Sequence, residues 1–113
     1  MRLTELRPQW CGQPDVDGKS WPIVQLKRDA RGVMFLCPKC FITNKGPYGT
    51  HSIICWDPTI PQTMEPKPGR WNLVGIDFED LTLTAGSSSV YLTDPDGCKA
   101  HFFIRHGEIV TAG

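Results

Sequence analysis

At 113 residues the chain is long enough for one domain with its own core, yet short enough to gain from a metal staple. Its 12 Lys and Arg balance its 12 Asp and Glu, which counts against a broad electrostatic surface for DNA or anionic lipid. The stretch Met1-Arg2-Leu3-Thr4-Glu5-Leu6-Arg7 is charged throughout, with no apolar core of a signal peptide, and no apolar run approaches membrane-spanning length. The expected setting is therefore cytoplasmic, with no membrane association. Five cysteines make an odd count for a disulfide framework and read better as metal ligands or free thiols.

Along the chain, 11 Gly and 10 Pro leave no room for a long helix. Short runs rich in Val, Ile, Phe, Trp and Thr predict strands instead. The first two, at 21–26 and 32–36, are expected to pair as a hairpin through Asp29-Ala30-Arg31-Gly32. The second runs directly into Cys37-Pro38-Lys39-Cys40, read as a tight turn. A loop at Gly46-Pro47-Tyr48-Gly49 precedes a third strand at 51–56. Residues 57–70 carry Pro58, Pro61, Pro66 and Pro68 and read as an extended surface loop. Further strands are predicted at 71–76, 81–84 and 90–93, with a possible helical turn at Phe78-Glu79-Asp80. After a turn at Asp94-Pro95-Asp96-Gly97, residues 102–105 and 108–110 should close the fold as a hairpin around His106-Gly107. Four tryptophans, Trp10, Trp21, Trp56 and Trp71, are mostly expected in the core. The fold class is mainly β, a single small antiparallel sheet and hairpin domain over 1–113 with a zinc-ribbon-like knuckle.

Two short pairs stand out, Cys37-Pro38-Lys39-Cys40 and Cys98-Lys99-Ala100-His101. Each sets two soft donors three positions apart, a spacing at which one turn can aim both at one ion. Cys37, Cys40, Cys98 and His101 thus supply the Cys3His set of a structural Zn2+ site, and about half the chain separates the two pairs. The bland alternative is a reduced thiol pair beside an incidental Cys-x-x-His. A permuted set is also open: His51 and Cys55 share one strand face, so either could replace His101, or the two could bind a second ion. Cys11 is left over. A redox role for Cys37 and Cys40 lacks the βαβ context it needs. The zinc-deaminase and His-Glu-x-x-His signatures are absent, and Ser87-Ser88-Ser89 has no nucleophile elbow around it. Glu108 near His106, or Asp94 and Asp96 near Cys98, are the acids a catalytic zinc could use as bases. Basic clusters at Lys27, Arg28 and Arg31 and at Lys67 and Arg70 read as solvated turn charges.

The chain from Cys37 onward resembles a family of small bacterial and phage proteins, a domain of unknown function. The resemblance rests on Leu36-Cys37-Pro38, on Trp71, on Leu81-Thr82-Leu83-Thr84 with Ser87 to Ser89, and above all on the late segment from Cys98-Lys99-Ala100-His101-Phe102-Phe103-Ile104 through His106-Gly107-Glu108-Ile109. Two features depart from the family pattern. Lys39-Cys40-Phe41 stands where a Cys-Gly-Cys is common, and Ala85-Gly86-Ser87-Ser88-Ser89-Val90 replaces a Pro-Ser-Ile segment. The resemblance implies a metal-binding β-domain of phage or prophage origin acting in a bacterial host cell. Relatives encoded beside ubiquitin-like conjugation genes imply a protein partner.

Taken together, the expectation is a structural-zinc domain that acts through protein contacts, with catalysis disfavoured. A zinc-dependent hydrolase of peptide or isopeptide bonds, using His51 or His106 near an open site, is the first alternative. A nucleic-acid-binding zinc ribbon is the second, and the neutral charge counts against it.

Overall fold

A computed structural model describes residues 1–66, 69–84, 89–92 and 97–112. The fold is mainly β, built from small antiparallel sheets. The first sheet holds β1 (Gln9–Cys11), β2 (Ile23–Val24), β3 (Gly32–Leu36) and β4 (Ser52–Trp56), in the order β2-β1-β3-β4. Between β3 and β4 lies one short helix, α1 (Pro38–Asn44). The strands β5 (Asn72–Val74) and β6 (Thr82–Thr84) form a two-stranded sheet, joined through a helical turn at Phe78–Asp80. The last sheet is β7 (Val90–Tyr91), β8 (His101–Arg105) and β9 (Glu108–Thr111).

The expected hairpin between residues 21–26 and 32–36 does not form. Trp10 pairs with both Val24 and Val33, so β1 lies between β2 and β3. A three-residue strand flanked by Pro8 and Gly12 has too little local pattern to announce itself, and its pairing is non-local. Gly32 is required here: a Cβ would sit 2.6 Å from the Trp56 ring and 2.8 Å from the Cys55 carbonyl oxygen. The closing hairpin is as expected, with Arg105 opposite Glu108. His106 and Gly107 both have positive φ, 51° and 74°, as a two-residue type I′ turn demands.

Alternation along β3 divides the interior. Val33 and Phe35 face the main core with Trp10, Ile53, Cys55, Leu81, Leu83, Phe102 and Ile104. Phe35 meets Phe102 edge to face at 6.0 Å, linking the first and last sheets. On the opposite face Cys11, Trp56 and Ile60 form a second cluster, with Trp21 set edge-on to Trp56. Three of the four tryptophans are buried, and Trp21 is half-buried.

The described part of 57–70 is a largely exposed loop, but it is turned rather than extended and two of its residues are buried. Ile60 is buried against the second cluster, and the chain winds around the Arg70 guanidinium. Arg70 Nε donates to the Ile60 carbonyl, Nη1 to those of Pro66 and Gly69, and Nη2 to those of Pro61 and Met64, at 2.6–2.9 Å. Prolines remove backbone donors, so the loop is left with carbonyls to satisfy, and a planar five-donor cation can satisfy them at once. Arg70 is thus an internal strut rather than a solvated charge. Lys67, Pro68, the residues Ala85 to Ser88, Thr93 to Asp96 and Gly113 lie outside the described residues, and with them all but Gly97 of the turn expected at Asp94-Pro95-Asp96-Gly97. Among the described residues, no helix is long and apolar enough to cross a membrane.

Candidate metal centre

The knuckle is formed by a helix start rather than a bare turn. Pro38 occupies the first turn of α1, where its fixed φ suits the helix and its missing N–H is not needed. Cys37 is the N-cap residue, and its carbonyl accepts the Phe41 N–H. Cys40 follows three positions on, which puts both thiols on one side of the first turn. The helix ends at Lys45, in the left-handed conformation, with the Gly46 N–H closing back to the Phe41 carbonyl.

His51 reaches the same place from the other strand. The β3–β4 ladder runs from Gly32 opposite Trp56 to Leu36 opposite Ser52. The Cys37 N–H then donates to the His51 carbonyl at 2.9 Å, so His51 sits across from Cys37. Cys98 arrives from the segment leading into β8, where Lys99 adopts a left-handed conformation and the Lys39 ammonium donates to the Cys98 carbonyl at 2.6 Å.

Cys37, Cys40, His51 and Cys98 place one donor atom each within 4.8 Å of one another, close enough to bind a metal ion. Cys37 Sγ and Cys98 Sγ are 3.6 Å apart, and Cys98 Sγ and His51 Nε2 are 3.5 Å apart. A tetrahedral zinc with bonds of about 2.3 Å to sulfur and about 2.0 Å to nitrogen has ligand–ligand edges of about 3.5–3.8 Å. The two separations given match the edges of such a tetrahedron.

Three of the four expected ligands, Cys37, Cys40 and Cys98, come together here, and the fourth position in the cluster is held by His51 rather than His101. His101 is the first residue of β8, on its outward face with Phe103 and Arg105, while Phe102 and Ile104 point inward. Its ring stacks on Tyr91 at 4.5 Å. The Cys-x-x-His reading assumed a turn through all four residues, whereas the strand takes over at its last position and fixes which way the ring points. The strand face that His51 shares with Cys55 is the sequence signal for His51, and the β3–β4 register sets it across from Cys37.

The thiols differ in character. Burial pushes the Cys37 thiol up, with further help from the neighbouring sulfurs, and burial also raises that of Cys40. At Cys98 burial again pushes upward. Hydrogen bonds with His51, the Ala100 backbone and the other two thiols outweigh it and bring the group down to about 7. Metal binding at such a site displaces protons from the buried thiols. The remaining cysteines are not part of the cluster. Cys11 and Cys55 are buried on opposite faces of the four-stranded sheet, and burial pushes both thiols up, Cys11 to about 11.

Of the acids and bases a catalytic zinc could have used, Asp94 and Asp96 lie outside the described residues, and His106 and Glu108 stand at the β8–β9 hairpin. His106 is the hairpin tip, its N–H donating to Thr82 Oγ1, and Glu108 pairs with Arg2 at 2.6 Å. No family model matches this chain, and neither does any curated protein or solved structure.

Proposed function

We propose that this is a small phage- or prophage-type domain in which Cys37, Cys40, His51 and Cys98 hold one structural Zn2+ and the surface beside it makes protein contacts in the cytoplasm of a bacterial host. The observation that carries the metal reading is the four-donor cluster itself. Three thiols and an imidazole are a soft set suited to zinc, and four protein donors fill its tetrahedron. A filled tetrahedron leaves no position for water or substrate, which is the mark of a structural ion rather than a catalytic one. The phage setting and the protein partner are supported by the late Cys98-to-Ile109 segment that resembles the phage family.

Zinc analysis joined to X-ray absorption at the zinc edge tests this reading. One zinc per chain bound by three sulfurs and one imidazole nitrogen is the expected result. A bound oxygen with fewer sulfurs would favour the peptide or isopeptide hydrolase instead, and protein purified without chelators yet free of zinc would overturn the metal reading altogether.

A further inference from the structure

A groove of about 430 Å³ runs beside the cluster, between α1 and the β8–β9 hairpin. Lys39 and Ile42 of α1 stand on one side, Lys99 on the other, and Phe102 and Ile109 line its apolar part. Ile42 is 65% exposed, an apolar side chain with no cover of its own. Among the described residues the lining holds two lysines and His101 and no Asp or Glu, in a chain whose charges otherwise balance. Alongside, β9 is the edge of its sheet; among the described residues the N-terminal segment bridges it at Glu108 and Ile109 and not at Thr111.

We infer that this groove binds an acidic peptide segment of a protein partner, with an apolar side chain seated between Ile42 and Phe102 and its carboxylates beside Lys39 and Lys99. The apolar lining supplies the anchor, the lysines select the sign of the flanking charge, and the open edge at Thr111 offers backbone groups to an extended chain. Nucleobases fit less well. The Tyr91 and His101 rings face each other, and the Arg105 guanidinium lies 4.2 Å over Phe103, so these ring faces meet each other and a cation. Both walls adjoin the cluster: α1 has Cys37 as its N-cap and carries Cys40, and Lys99 directly follows Cys98. The inference therefore rests on the metal reading above and deepens it.

An array of random peptides about nine residues long, probed with the zinc-loaded full chain, tests the inference. The expected outcome is enrichment of an aliphatic or aromatic residue flanked by Asp or Glu. Binding of the best such peptide should weaken about tenfold or more in Lys99→Glu and in Ile42→Asp, and severalfold between about 0.1 M and about 1 M salt. Lys19→Glu, outside the groove, should leave it unchanged. Zinc content and melting temperature equal to wild type in each variant separate the groove from the metal. Zinc-loaded protein that enriches no acidic peptide, binds equally in both groove variants, or prefers an oligothymidylate overturns the groove and leaves the structural zinc standing. Absence of zinc overturns the metal reading itself.

Discussion

His51 and His101 are both within a residue of a strand start, yet only one of them shares a site with the three thiols, and the difference is a matter of strand register. His51 stands across from Cys37, where the ladder ends and α1 begins. His101 is committed to the outward face of β8 and to the Tyr91 ring. His51→Ala should therefore weaken zinc affinity by about a hundredfold or more, measured by competition with a chromophoric chelator. His101→Ala should change it by no more than a fewfold and cost only about 1 kcal/mol of ring stacking. The reverse ranking would return the fourth position to the Cys-x-x-His pair. A second residue-scale prediction concerns Asp80, whose carboxylate accepts the Ile76 and Asp77 N–H groups. The Asp77 backbone bond above all holds the carboxyl below its ordinary value of 3.8. A lowered folded value means that the stabilisation is complete above 3.8 and fades as pH falls through the folded value. Asp80→Asn should thus lower the melting temperature at pH 7, with the gap to wild type closing in acid below 3.8. A gap that persists unchanged below that range would show that the carboxylate charge is not the source.

Individual elements were legible where their pattern is local. Residues 32–36 and the 102–105 and 108–110 hairpin carry β-branched and aromatic runs between turn residues, and they form strands where expected. What escaped is the structure that depends on partners distant in sequence. The insertion of β1, the seven-residue α1 squeezed between Cys37 and Gly46, and the selection of His51 all follow from pairings that no local window contains. Arg70 is the same lesson in another form. On composition it belongs to a proline-rich surface stretch, but the folded loop turns its carbonyls inward and makes the cation their common donor. Arg70→Met keeps the aliphatic stem and leaves those carbonyls unpaired, at a cost of about 3 kcal/mol. The urea midpoint should fall accordingly, and zinc content should not. An unfolding free energy within a few tenths of a kcal/mol of wild type would mean that water replaces the guanidinium and the loop is held by its other contacts, Ile60 among them.

At the scale of the whole molecule, the cluster joins the β3–α1–β4 unit to the segment that opens β8, so one ion would bind the first sheet to the last. The Phe35–Phe102 contact makes the same connection by packing, but one edge-to-face pair adds only about 1 kcal/mol beyond the area it buries. Cross-linking Cys37 to Cys98, 61 positions apart, removes chain entropy from the unfolded state worth about 4 kcal/mol. Set against a typical net stability of 5–15 kcal/mol for a domain, that term alone approaches the margin, before the metal–ligand bonds themselves are counted. Stripping the ion with a chelator under reducing conditions should therefore abolish the cooperative thermal transition, and added zinc should restore it. Cys98→Ser should reproduce the loss without rescue by zinc, whereas Cys11→Ser, outside the cluster, should keep both the transition and the metal. If the chelated protein still melts cooperatively within a few degrees of the loaded one, the hydrophobic core holds the sheets together without help. The ion would then act only locally, ordering α1 and the approach to β8.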